Sequence, residues 1–251
     1  MIRALLGFGR GDGEGFLRTL SRHAAPVLML TLFAEAGGAQ TPPPPASANS
    51  AYIQQIGDLN RITLRQDGAG HSAAVAQDGD SNEAELTQQG DGHSAALAQG
   101  PGDGNTAQLS QSGAAANSAA ISQQGNGNEA FAGQESLLAG IEGNTYVLLQ
   151  QGNRNFAAAF QSGNLNSSEQ MQVGNDNVAG LLQKGRDNNA TLEQNGNNNE
   201  AVQIQIGSGL SSVIVQENDN NFAVSEQIGN NLQPIVITQT GGQSVTISVV
   251  Q

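Results

Sequence analysis

Cysteine and tryptophan are absent from the 251-residue chain, and aromatic residues make up only 4% of it. Without cysteine there is no disulfide framework, no thiolate nucleophile and no cysteine metal site. With so few aromatics, the usual bulky contents of a globular core are missing. Charge is scarce too, at 12%, about half the usual share. What charge there is lies on one side: 9 Lys and Arg against 22 Asp and Glu, a net of −13. Phosphate backbones are held by clustered Lys and Arg, so nucleic acid is disfavoured as a partner. The apolar stretch Ala24 to Ala34 is too short to span a bilayer.

That stretch follows a basic lead of Arg3, Arg10, Arg18 and Arg22, and precedes Ala34-Glu35-Ala36. Basic lead, apolar centre and A-x-A site are the pattern of a secretory signal peptide over residues 1–39, cut after Ala36 or Ala39. A short uncleaved anchor is the alternative. Residues 40–48 hold Pro42 to Pro45, a stiff, Pro-rich leader.

Gln, Asn, Ser and Gly take the place of the missing charge. Such a composition belongs either to disorder or to repeats with polar ladders, and periodicity decides between them. Glutamine marks the period: Gln55, Gln66, Gln77, Gln88, Gln99, Gln111, Gln123, Gln134, Gln150, Gln161, Gln172, Gln183, Gln194, Gln205, Gln216, Gln227, Gln239 and Gln251. Most steps are of 11 residues. Ahead of the marker stands asparagine at Asn49, Asn60, Asn82, Asn105, Asn117, Asn128, Asn144, Asn155, Asn166, Asn177, Asn188, Asn199 and Asn221. Two residues past most markers stands glycine, with Pro101, Ser136 and Asn218 as exceptions.

The unit reads Asn-x-Ala-x-φ-x-Gln-x-Gly-x-x, where φ is usually apolar, as in Asn82 to Gly90. Asn, Ala, φ and Gln recur at every second residue, so a strand puts them on one face while a helix would scatter them. Glycine then permits the positive φ of a tight turn. Two strand-turn units make a 22-residue rung, and the spacing predicts an all-β solenoid of nine such rungs over residues 49–251. At about 4.8 Å per rung the stack is roughly 43 Å long, with the repeat geometry of cross-β amyloid.

Alanine and the φ residues, such as Leu86, Leu97, Leu109, Leu148, Leu192 and Ile214, are expected to fill a thin core between the two sheets. Each contributes about 1.5–3 kcal/mol, so stability has to accumulate by stacking. Burying an unpaired amide costs a few kcal/mol. Inward Gln and Asn are therefore expected to donate to their copies one rung along, a structural ladder that also fixes register. Gln170, Gln203 and Ser225 stand at φ positions and mark weaker rungs. The 16-residue step from Gln134 to Gln150 accommodates an insertion between Glu135 and Gly143 as a bulged turn. The last unit, Val245 to Gln251, is rich in β-branched residues, and Val245, Ile247 and Val249 form a candidate polymerisation edge.

The repeat resembles the curlin repeat of curli subunits, secreted amyloid proteins of Gram-negative biofilms, in its Asn/Ser-x-Ala-x-x-x-Gln-x-Gly-x-x-Asn spacing across residues 49–251. The resemblance implies export through an outer-membrane secretion channel, polymerisation at the cell surface, and a role in adhesion and biofilm matrix. It implies the chain itself and a curli-type nucleator as partners. Major fibre subunit and minor nucleator both stay open as roles, and a soluble solenoid adhesin is a third reading.

Other features are weaker. His71 and His93 occupy the Asn site 22 residues apart and suit a polar ladder better than a metal, for want of a third ligand. Asp58, Asp67, Asp78, Asp80, Asp91 and Asp103 crowd the first turns, where they suit charge-based restraint of premature pairing better than calcium. Gly100 to Gly104 lacks the Lys and helix of a phosphate loop. No serine has a nucleophile-elbow context, and the one insertion offers only Glu135 and Glu142 as acids. No enzyme, cofactor or metal site is expected. Tyr52, Phe131 and Phe156 point outward and are candidates for lateral contacts between fibres.

Overall fold

The computed structural model describes residues 48–251. The expected signal peptide and nearly all of the Pro-rich leader lie outside the described residues. Within them the chain is all-β, with eighteen strands in two parallel nine-stranded sheets. The first sheet holds β1 (Ser50–Ile56), β3 (Ser72–Asp78), β5 (Ser94–Gln99), β7 (Ser118–Gln124), β9 (Thr145–Gln151), β11 (Ser167–Val173), β13 (Asn189–Asn195), β15 (Ser211–Glu217) and β17 (Ile235–Thr240). The second holds β2 (Arg61–Ala69), β4 (Glu83–Asp91), β6 (Thr106–Gly113), β8 (Glu129–Ser136), β10 (Phe156–Asn164), β12 (Val178–Arg186), β14 (Glu200–Ser208), β16 (Phe222–Asn230) and β18 (Ser244–Val250). Each odd strand and the even strand after it form one rung of a β-solenoid.

Successive rungs stack in register: Ala157 lies beside Ala179, Ala159 beside Leu181 and Gln161 beside Gln183. The alternation read from sequence appears directly as burial. On β4, Ala84, Leu86 and Gln88 are buried while Glu83 and Glu85 are exposed. The core is a single column of alanine and φ residues between the sheets. Ile53 and Leu64, in the first rung, are less covered than their counterparts.

The turns are as constrained as the strands. Gly163 and Gly185 have φ of 117° and 121°, and a Cβ on Gly163 would overlap the carbonyl oxygen of Gly185 in the rung above. Only glycine fits that stacked, left-handed position. The insertion between β8 and β9 bulges outward, exposing Leu137 and Leu138. The Asn164 side chain holds it: its Oδ1 accepts the Leu138 N–H at 2.9 Å and its Nδ2 donates to the Leu138 carbonyl at 3.1 Å.

Candidate functional site

The polar residues inside the solenoid form continuous hydrogen-bonded rows, and these rows are the candidate site. In the first sheet Gln55 Nε2 donates to Gln77 Oε1 at 2.9 Å, Gln77 to Gln99 at 2.8 Å, and so on to Gln239. The second sheet carries the same chain from Gln66 to Gln227. Every link runs the same way, Nε2 toward the C-terminal rung, so each row has a direction.

The remaining Nε2 proton has a partner that the sequence did not reveal. Gln183 donates to the Ser167 carbonyl at 3.0 Å and Gln194 to the Val178 carbonyl at 3.0 Å. Ser167 and Val178 each begin the strand of the opposite sheet. The glutamine therefore clamps the two sheets together as well as linking rungs, which satisfies an amide that burial would otherwise penalise.

Asparagine does a different job. Asn155 Oδ1 accepts the backbone N–H of Asn177 in the next rung at 3.1 Å, and Asn155 Nδ2 donates to the turn carbonyl of Gly174 at 2.8 Å. The same pair of bonds recurs at Asn60, Asn82, Asn105, Asn128 and Asn177. Side-chain links between asparagines, such as Asn105 Nδ2 to Asn82 Oδ1 at 3.0 Å, accompany it. The residue thus pins each turn to its neighbour.

His71 and His93 stand in the Asn row, stacked with centroids 5.2 Å apart and planes at 12°. Each Nδ1 accepts a backbone N–H from the next rung, His71 from His93 at 3.2 Å and His93 from Asn117 at 3.0 Å. Each Nε2 faces a backbone carbonyl, Asp67 and Gln89 respectively. This geometry fits the neutral ring protonated at Nε2. Burial lowers the pKa of His93 from its ordinary value, against an opposing contribution from its bond to the Gln89 carbonyl.

A third row runs through the turns after the odd strands. Asp58 N–H donates to Asp80 Oδ1 at 2.7 Å, Asp80 to Asp103 at 2.7 Å, Asp103 to Asn126 at 2.8 Å, and Asn197 to Asp219 at 2.7 Å. The carboxylates of Asp80, Asp91 and Asp103 are therefore hydrogen-bond acceptors within the stack. Among the described residues no three His, Cys, Asp or Glu side chains come together as a metal site.

At the φ positions, buried Gln170 accepts the Tyr146 hydroxyl at 2.7 Å, and burial pushes that phenol far up from its ordinary value. Gln203 Nε2 donates to Thr191 O at 2.9 Å, and Ser212 bonds Ser225 at 2.7 Å. Gln170 Nε2 and Gln203 Oε1 are left without partners, a cost of about 1–3 kcal/mol each.

One expected ladder member is displaced. Gln251 does not join the row: Val249 lies opposite Gln227, with Val245 opposite Ala223 and Ile247 opposite Ser225. The turn Thr240-Gly241-Gly242 is one residue shorter than the usual turn, so Gln243 takes the Asn site, its N–H donating to Asn221 Oδ1 at 3.2 Å. The glutamine Gln251 stands two residues past the ladder position that Val249 fills.

The curlin associated repeat matches this chain four times, over residues 60–90, 79–113, 171–196 and 185–217. The chain carries curlin repeats. The spans between and after the matches, 114–170 and 218–251, hold the insertion, Tyr146 and the displaced last unit. The same strand pairing continues through both. No curated protein matches the chain.

Proposed function

We propose that this protein is a structural subunit of an extracellular, curli-type amyloid fibre serving adhesion and biofilm matrix, with no catalytic role. The observation that carries the reading is the directed, in-register amide rows. In the first sheet the row reaches both edge strands, from Gln55 on β1 to Gln239 on β17, and extends by adding copies of itself; in the second it stops at Gln227, opposite Val249. Among the described residues β1, β2, β17 and β18 pair on one side only. A second copy stacking on such an edge adds main-chain hydrogen bonds in the existing geometry. Val245, Ile247 and Val249 on β18 serve as the polymerisation edge in this reading. Export through an outer-membrane channel, removal of residues 1–39 and seeding by a nucleator complete it and place the fibre on the surface of a Gram-negative cell.

Val249 in place of a ladder glutamine favours a second reading, a nucleator-like minor subunit whose last strand starts rows rather than extending them. A fibre-formation time course with diffraction tests both. Fibres with a ~4.7 Å meridional spacing support assembly. A lag removed by seeds supports the major subunit, and growth without a lag supports the nucleator. A β-rich monomer that persists for days at micromolar concentration contradicts both in favour of a soluble adhesin.

A further inference from the structure

The outer face of the second sheet changes character along the solenoid. Its two central columns are polar or charged at β2 and β4, with Thr63 and Arg65, then Glu85 and Thr87. From β8 to β14 they carry no charge. One column there runs Phe131, Ala158, Gly180, Val202, and the other Gly133, Phe160, Leu182, Ile204. Charge returns at Glu226 on β16. The two uncharged columns from Phe131 to Ile204 line an open groove of about 560 Å³, and Phe160 within it is 45% exposed.

The two glycines of this face differ. At Gly133 a Cβ would meet the Phe160 ring at 2.9 Å, so a neighbour within the chain explains it. Gly180 has no positive φ, and a Cβ there would meet only ordinary van der Waals neighbours, the nearest being Val202 Cγ2 at 3.6 Å. Nothing inside the solenoid requires glycine at that place. Glycine within a strand weakens it and marks the close approach of another chain or ligand.

We propose that a second copy of this chain docks on this face, side by side and parallel, about a two-fold axis running along the solenoid. Such an axis keeps rungs level and exchanges the two columns. Phe160 of one copy then packs on Ala158 of the other, and Leu182 fills the hollow over Gly180, in the large-on-small manner of a dry zipper. A two-fold axis across the solenoid would instead set Phe160 against Leu182 and leave Ala158 against Gly180. Charge agrees with the parallel arrangement. Lys184 on one flank comes beside Glu200 on the partner's opposite flank one rung on, twice over. Glu129 and Glu135 meet at the other end of the patch, so contact centres on β10 to β14. Two chains of net −13 gain by meeting on an uncharged face.

The test is the cross-section of the particle, read from full-length protein as mass per length of fibres by scanning transmission electron microscopy. Two solenoids side by side are expected in the wild type. Gly180→Val is expected to halve that mass while the circular dichroism stays that of an intact solenoid, because valine suits a strand. Leu182→Lys is expected to do the same. A single-solenoid cross-section in the wild type would overturn the proposal, as would one that takes up an apolar dye in the groove. So would a double cross-section that survives Gly180→Val. If the chain does not polymerise, the same comparison is read by sedimentation as dimer against monomer, so this inference and the fibre reading fail separately.

Discussion

The rungs around β3 to β7 and those around β11 to β16 share one backbone and divide the work of holding it differently. In the first region the φ positions are all apolar, with Val75, Leu86, Leu97, Leu109 and Ile121 buried. It is the amide row that varies there, with His71 and His93 standing for asparagine. In the second region the Gln rows run complete, and the Asn row ahead of the even strands runs unbroken through Asn177, Asn199 and Asn221, while Leu210 interrupts the other row after Asn188. It is the core that turns polar, at Gln170, Gln203 and Ser225. A stack therefore tolerates the loss of either support in one place while the other persists. Where apolar burial is thin, hydrogen-bonded rows set the register.

The largest expected effect tests what both regions share. Gly185→Ala puts a Cβ into the Gly207 carbonyl oxygen at a left-handed φ, and is expected to cost about 4 kcal/mol or more. Hydrogen exchange should show the rungs on either side of it opening. An alanine accepted there without loss would remove the close stacking of the turns from the account.

The next test separates the regions. Gln205→Ala and Gln88→Ala each delete two links of the row and one clamp to the opposite sheet. Each leaves buried partners unpaired, at roughly 3 kcal/mol. The loss at Gln205 is expected to exceed that at Gln88 by about 1 kcal/mol, because Gln203 and Ser225 bury less apolar surface than Leu86 and Leu109. Equal losses, measured by chemical denaturation, would remove the distinction between the regions.

Acid should strike the two regions in opposite senses. His93 is held below its ordinary value near 6.5, so below that pH the unfolded chain binds more protons than the folded one. Stability of the first region then falls as pH drops through this window. The protonated ring would also lose its Nδ1 acceptor. The double variant His71→Asn with His93→Asn should flatten the pH dependence of exchange there between pH 6.5 and lower values. Glu169 and Glu193 are held above their ordinary value near 4.5 by desolvation, and Glu193 also by Glu217 and Glu169. In that window the folded state holds the extra protons, so the second region loses stability as pH rises above it. Glu193→Gln, the smallest effect, should slow exchange slightly at neutral pH and leave it unchanged in acid.

The 11-residue glutamine step displays the strands, their facing and the two-sheet rung in the sequence, because a period of two leaves one choice of inward face. The glutamine row could be inferred from the cost of burying an amide. Its second bond could not, since which carbonyl lies opposite depends on how the sheets are offset. The turn row of Asp58, Asp80, Asp103 and Asn126 left a signal, an Asp or Asn soon after alternate markers, that reads as mere turn composition until rungs are stacked. Gln251 misled because its 12-residue step from Gln239 matches steps found elsewhere, while the short Gly241-Gly242 turn brings the ladder position forward to Val249. The groove at Gly180 was legible only in part. Phe131 and Phe156 stand out as outward aromatics, but an unexplained glycine becomes visible only when its neighbours are known.

The central claim is that rungs of one chain stack on each other at a 22-residue separation through their amides. Solid-state NMR on fibres diluted with unlabelled chain tests it most directly. The account predicts a side-chain contact between Gln183 and Gln205 that survives dilution, because both belong to one molecule. Contacts of Gln183 only with Gln183 of other chains, lost on dilution, would contradict it and replace the solenoid with a flat stack of extended molecules.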